Sequence, residues 1–191
     1  MSKESKLKEL FSPTIVLVMI CLIASLFLAV TYRVTAPRIA EISKQRADSA
    51  RIEVLPAADA FDDVTADYEL EDGVTEIYKA KNETGYVITS QSKGFGGMVT
   101  VMTALDNSGK ILKVKVTAAN DETPGLGSKA TLPSHTDQFT GATAISNDPE
   151  EGGDATVINA VTGASYTSRA VYRSVSAALV QFEKIGGQEN E

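Results

Sequence analysis

From Leu10 to Tyr32 the chain carries no charged residue, and Ile15 to Val30 is nearly all Ile, Val, Leu, Phe, Met and Ala. At about 1.5 Å per residue this stretch reaches roughly 34 Å as a helix, enough for a bilayer core of about 30 Å. Eleven positions between Ile15 and Val30 are Leu, Ile, Val or Phe, each favouring insertion by about 0.3–0.6 kcal/mol at a helix centre. A cleaved signal peptide has an apolar core of only about 7–15 residues followed by a small-residue cleavage site. No convincing site follows Val30, so the pattern predicts an uncleaved, single-pass anchor over residues 10–32 in the lipid bilayer, preceded by a tail of residues 1–9.

After the anchor the pattern changes twice. Residues 33–56 are polar and Ala-rich, with Ile39, Ile42 and a run of charges that suit a linker helix; Pro37 fits its first turn, where proline is tolerated. Period-two alternation then predicts half-buried strands. Val74, Glu76 and Tyr78 alternate with Thr75, Ile77 and Lys79; Gly85–Thr89 follows a turn at Lys81–Thr84; Val99, Val101 and Thr103 share a face; and Leu112, Val114 and Val116 alternate with Lys113 and Lys115. Asp106-Asn107-Ser108-Gly109 is a strong turn signal. Strands joined by tight turns imply a mainly antiparallel sheet. Thr156-Val157-Ile158 reads as one more strand, and Val171, Val175, Ala178, Leu179 and Phe182 recur at helical spacing. The fold class is therefore α+β: one N-terminal transmembrane helix, then a domain over residues 57–191 with a mainly antiparallel sheet and flanking helices.

Charge narrows the partners. The formal net charge is −7 and the nine-residue tail is +1, so the remainder carries −8, which argues against nucleic acid. The single cysteine, Cys21, lies in the anchor, so no intrachain disulfide and no Cys-rich metal site can form; it reads as a lipid-facing or packing residue, the alternative being one ligand of a cluster shared with another subunit. The single histidine, His135, falls in a Pro133–Thr136 loop and is expected to be exposed. Asp148–Asp154 reads as a solvated turn whose spacing fits no EF-hand. With one His and one Cys, and no zinc or Walker A motif, many catalytic constellations are excluded.

Three stretches carry candidate chemistry. Val161-Thr162-Gly163-Ala164-Ser165-Tyr166-Thr167-Ser168 sets hydroxyls beside two small residues where a helix opens. Free amides and the positive end of the macrodipole favour a phosphate there, and Gly163 and Ala164 would let it approach closely; equally, Ser165, Thr167 or Ser168 could be a plain N-cap. In Glu122-Thr123-Pro124-Gly125-Leu126-Gly127, Pro124-Gly125 reads alone as a type II turn. Lys93-Gly94-Phe95-Gly96-Gly97 could form a bulge or let a ring lie against the backbone.

Taken together, these stretches resemble the flavin-binding G subunit of the Rnf complex, a membrane-bound, ion-translocating ferredoxin:NAD oxidoreductase of bacteria and archaea. They are similar, more distantly, to the C subunit of the sodium-pumping NADH:quinone oxidoreductase; the shorter chain favours the Rnf protein. The resemblance covers nearly the whole sequence, with Leu55–Phe61 and Phe139-Thr140-Gly141 matching further family segments. In that family a motif Asp-x-x-Ser/Thr-Gly-Ala-Thr/Ser carries FMN through a phosphoester to its last hydroxyl. Here the frame reads Asn159-Ala160-Val161-Thr162-Gly163-Ala164-Ser165, with Asn159 in place of Asp.

The resemblance implies FMN on Ser165, with Thr162, Gly163 and Ala164 around it. It implies Glu122, Thr123, Gly125, Leu126 and Gly127 at the flavin ring, through an apolar surface from Leu126, backbone N–H groups at the glycines and a hydroxyl from Thr123. Gly96 and Gly97 are further candidates, and Glu122 is expected as a hydrogen-bonding residue rather than a general base. It also implies an electron-transfer subunit with no complete activity alone, other Rnf-type subunits as partners, and a flavin transferase using FAD and magnesium. The domain is expected on the extracytoplasmic side of the cell membrane, although the basic residues after the span would count the other way. Two other readings stay open: a membrane-anchored structural or binding module without flavin, and an independent extracytoplasmic flavin reductase.

Overall fold

One helix, α1 (Lys3–Val54), takes in the whole apolar stretch. The computed structural model describes residues 3–119, 121–148, 150 and 153–188; Met1 and Ser2 of the tail, and Pro149, Glu151 and Gly152 of the solvated turn, lie outside the described residues. Two compact units are present, Met1–Arg46 and Ala47–Glu191. In the first, the apolar window reaches a mean hydropathy of 2.8 with none of it buried, so by length and composition the helix can cross a membrane. The polar composition predicts a new helix start near Pro37, but Pro37 lies inside α1. The proline leaves the carbonyl of exposed Arg33 without its amide donor, which solvent can satisfy. In the turns before it, Thr35 and Thr31 donate to the carbonyls of Thr31 and Phe27, each at 2.8 Å.

The second unit is built on an antiparallel meander of β1 (Phe61–Asp63), β2 (Val74–Ala80), β3 (Tyr86–Lys93), β4 (Met98–Leu105) and β5 (Ile111–Ala118), adjacent in that order. The central strands are buried on both faces rather than half-buried. On one side Ile88, Val99, Val101, Leu105 and Val114 pack with Phe139, Val171, Val175 and Ala178. On the other, Val87, Met102 and Ala104 pack with Ala50, Val54 and Leu55 from the end of α1 and the residue after it. Each fully buried Ile or Leu contributes about 1.5–3 kcal/mol relative to exposure, so the sheet is stabilised from both faces.

Two bulges change the alternation the sequence predicts. Thr75 is extra between the Val74 and Glu76 pairings, so Val74 and Ile77 share a face. A second irregularity opposite Ala104–Leu105 puts Ile111, not Leu112, into the core, while Lys113 and Lys115 pair with Glu53. A bulge shifts the period-two pattern by one residue, which a strict alternation cannot anticipate.

The remaining chain supports the attachment stretch. The short helix α2 (Pro133–Thr136) precedes β6 (Ile145–Ser146) and β7 (Thr156–Val157), which pair in parallel. The long helix α3 (Ser165–Gln188) lies across β3 and β4. It is fixed there by apolar packing and by the Ser90 hydroxyl donating to the Ser174 carbonyl at 2.7 Å. Buried Gln181 accepts from the Glu71 amide at 2.6 Å and donates to the Glu69 carbonyl at 3.2 Å, tying down the loop before β2.

Candidate functional site

Phe95, Glu122, Thr123, Leu126, Gly127 and the run Gly163–Thr167 line one groove of about 130 Å3. The three segments come from the loop before β4, the loop after β5 and the start of α3, and a single carboxylate joins them. Glu122 is only 5% exposed. Its Oε1 accepts the Gly96 amide at 3.1 Å and its Oε2 accepts the Thr167 hydroxyl at 2.5 Å. Such charge-assisted bonds are the strong ones, and they satisfy a group whose burial would otherwise be costly.

The glycines make room for that carboxylate. A Cβ on Gly127 would lie 2.5 Å from Glu122 Oε2, and one on Gly94 2.3 Å from its Oε1. Gly96 passes so close to the neighbouring loop that a Cβ would sit 1.7 Å from the Asp121 carbonyl oxygen. Gly96 and Gly97 therefore belong to the groove's frame, packed against Asp121, and do not line it. Gly125 does not line it either: its amide is donated to Ser128 Oγ at 2.9 Å, so it is not available to a ring, and its φ of +76° accounts for the glycine.

At the attachment stretch, Gly163 has φ +79° and its α-carbon faces Leu126, whose Cδ1 would be 2.9 Å from a Cβ. This contact brings the two sequence motifs together. Ala164 is buried; Thr162, Gly163 and Ser165 are exposed, and Thr162 stands outside the groove lining. The hydroxyls do not cap α3. Ser168 accepts the Val161 amide at 3.0 Å, Thr167 is bound to Glu122, and Ser165 has no side-chain hydrogen bond among the described residues. Thus Ser165 presents an uncommitted hydroxyl at the edge of the groove.

His135 is expected in an exposed loop but is 1% exposed, with its ring edge-on to Phe139 at 5.9 Å. The loop folds instead into α2, which carries the ring inward. Gln138 accepts the Asn159 amide through Oε1 at 3.0 Å, which orients its amide so that Nε2 faces His135 Nδ1 at 3.1 Å. In the neutral tautomer protonated at Nε2, Nδ1 accepts from that amide. Burial holds the imidazole below its usual pKa, with a weaker opposing effect from the Asn159 backbone. The histidine thus braces the start of the attachment stretch; among the described residues no cluster of three or more His, Cys, Asp or Glu is placed to hold a metal.

Sequence reasoning missed Phe95 and Tyr166 as site residues. Their rings are 6.1 Å apart and tilted by 51°. The available signal was an aromatic side chain in each motif, Phe95 between glycines and Tyr166 beside Ser165.

Whether the groove's residues suit a flavin is decided by their chemistry. Leu126, Phe95 and Tyr166 offer apolar contact, and Thr123 and Ser165 supply hydroxyls, which together fit a planar heterocycle with a phosphate tail. Residues 94–180 match the FMN-binding domain family, and the fold is that of an FMN-binding domain.

The relatives are more specific. The G subunit of the proton-translocating ferredoxin:NAD+ oxidoreductase complex of Clostridium ljungdahlii is 30% identical over 98% of this chain and 99% of its own. Its counterpart in the Na+-translocating complex of Acetobacterium woodii is 32% identical over 93% of this chain and 94% of its own. The chain belongs to the G-subunit family of ion-translocating ferredoxin:NAD+ oxidoreductase complexes. Among solved structures, NqrC of Shewanella oneidensis aligns with a TM-score of 0.48 at 23% identity, covering 59% of each chain.

Proposed function

We propose that this chain is the electron-transfer subunit of an Rnf-type, membrane-bound ferredoxin:NAD+ oxidoreductase, carrying FMN as a phosphoester on Ser165. The observation that carries this reading is the groove itself: both motifs line it, and Ser165 stands at its edge with a free hydroxyl. A bound flavin supplies reversible acceptance and release of electrons. The chain's own residues hold and orient it. Leu126 and Thr123 contact its ring, Gly163 and Ala164 admit its phosphate, and Glu122 fixes the loops that do both. Gly125, Gly96, Gly97 and Thr162 act through loop shape.

Attachment would proceed on FAD with magnesium and a flavin transferase. Ser165 would supply the hydroxyl oxygen that takes the flavin phosphate, losing its proton as the pyrophosphate bond of FAD breaks and AMP leaves. The covalent link keeps the cofactor from dilution on the extracytoplasmic side, where this reading puts residues 57–191, with residues 1–9 in the cytoplasm, 10–32 in the bilayer and 33–56 as linker. Other subunits donate and accept the electrons and translocate the ion, so the isolated chain has no complete activity.

Intact mass and peptide mapping of protein from its native membrane test this reading. A gain of FMN less one water on the Ser165 peptide, absent in Ser165→Ala, is the expected result. The flavin-free module is the competing reading, favoured by Asn159, which lacks the carboxylate of the family motif. An unmodified Ser165 peptide from the native membrane would overturn covalent attachment and favour that module.

A further inference from the structure

Among the large hydrophobic side chains of the Ala47–Glu191 unit, the two most exposed are Phe95 at 70% and Tyr166 at 67%. They are not scattered. Both line the groove, their ring centroids are 6.1 Å apart, and the half-exposed Leu126 lines it with them. Single exposed apolar side chains are ordinary, whereas adjacent rings in a concavity mark a surface built to be covered. Both are also held in place. Phe95 is flanked by Gly94, against the Glu122 carboxylate, and by Gly96, whose amide that carboxylate binds. Tyr166 is next to Thr167, which donates to the same carboxylate. The backbone that carries the two exposed rings is therefore pinned, which lowers the cost of ordering them when a flat ligand packs there.

We infer that Phe95 and Tyr166 form an aromatic shelf that packs against the flavin ring system and shields it from solvent. This rests on the flavin reading of the groove. The two rings have separable roles. Tyr166 is an electron-rich phenol lining the groove, able to quench flavin fluorescence by passing an electron to the excited ring and recovering it. Phe95 cannot do this and contributes cover and alignment alone.

The test uses the full-length chain, purified in detergent from cells that also make the transferase, with the mass increment measured on every sample. Tyr166→Phe is expected to keep the full increment and raise flavin fluorescence severalfold, because packing survives and the quencher is gone. Phe95→Ala is expected to keep the increment, weaken the visible circular dichroism of the flavin and raise its collisional quenching by iodide severalfold; Phe95→Leu should fall between Ala and wild type. Flavinylated variants with wild-type fluorescence, dichroism and iodide quenching would overturn the shelf and leave the flavin reading intact. A wild-type chain with no increment would overturn both.

Discussion

The groove and the sheet beneath it distribute polarity in opposite ways. In the sheet, Ile88, Val101 and Leu105 are buried and lysines such as Lys113 lie outside. At the groove a carboxylate, Glu122, is buried while two aromatic rings, Phe95 and Tyr166, face solvent. The inversion is stable because the carboxylate is bonded to an amide and a hydroxyl, and glycines leave it space. It teaches that framing and contact are assigned to different residues: a buried polar group sets loop geometry, and exposed apolar groups await a partner of their own polarity. Substitutions in the frame should therefore reduce folding stability, and substitutions on the shelf should leave it nearly unchanged.

The largest effect is expected at the frame. Glu122→Ala removes the acceptor of two hydrogen bonds and leaves a cavity, a loss of about 2–4 kcal/mol, read as a lower urea midpoint at unchanged slope. Gly96→Ala should cost as much or more, since its Cβ would meet the Asp121 backbone rather than a movable side chain. Gly125→Ala provides the internal contrast. No atom lies within 4 Å of its Cβ, so only the left-handed backbone penalty of about 1–2 kcal/mol applies. If Gly96→Ala proved as mild as Gly125→Ala, the frame would be looser than the geometry implies.

The legibility of the sequence follows the same division. The four longer strands and α3 are readable because their periodicity is set by sheet and helix geometry, and the family resemblance marks the stretches Glu122–Gly127 and Thr162–Ser165 that the fold brings to one groove, with Gly125 and Thr162 outside its lining. Alternation puts Leu112 on the wrong face because one bulge residue inverts a period-two pattern. The three residues of β1 and the two of β6 are too short to show a period, whereas β7 falls within the Thr156-Val157-Ile158 stretch that reads as a strand. Glu122 is recognisable in the sequence, but its joining of three loops is not, since Gly96 and Thr167 are distant in sequence and close only in the fold. Phe95 and Tyr166 escape for the same reason: each alone is an ordinary aromatic, and only their adjacency makes a surface.

A smaller effect extends the comparison to the second buried polar group. Burial lowers the His135 pKa in the folded state, whereas the unfolded chain titrates near the ordinary value of about 6.5. Below that value the unfolded state binds a proton that the folded state refuses, so stability is highest above the unfolded pKa and falls as pH drops toward the folded one. One proton limits the slope to about 1.4 kcal/mol per pH unit. His135→Gln should flatten this part of the stability curve between pH 7 and 5, measured by urea unfolding in matched buffers. A slope unchanged by the substitution would assign the pH dependence to the carboxylates instead.

The smallest expected change is the most discriminating. Phe95→Ser and Tyr166→Ser remove large apolar side chains, yet both rings are mostly exposed, so the flavin-free chain should lose no more than about 0.5 kcal/mol, as for other surface substitutions. Leu132→Ser, at an exposed position outside the groove lining, should behave the same way in the flavin-free chain. With flavin attached the three should separate: the groove variants lose part of the added thermal stability that a covering ligand confers, and Leu132→Ser keeps all of it. If all three lost equally, exposure alone would explain Phe95 and Tyr166, and the polarity inversion at the groove would have no bearing on what it holds.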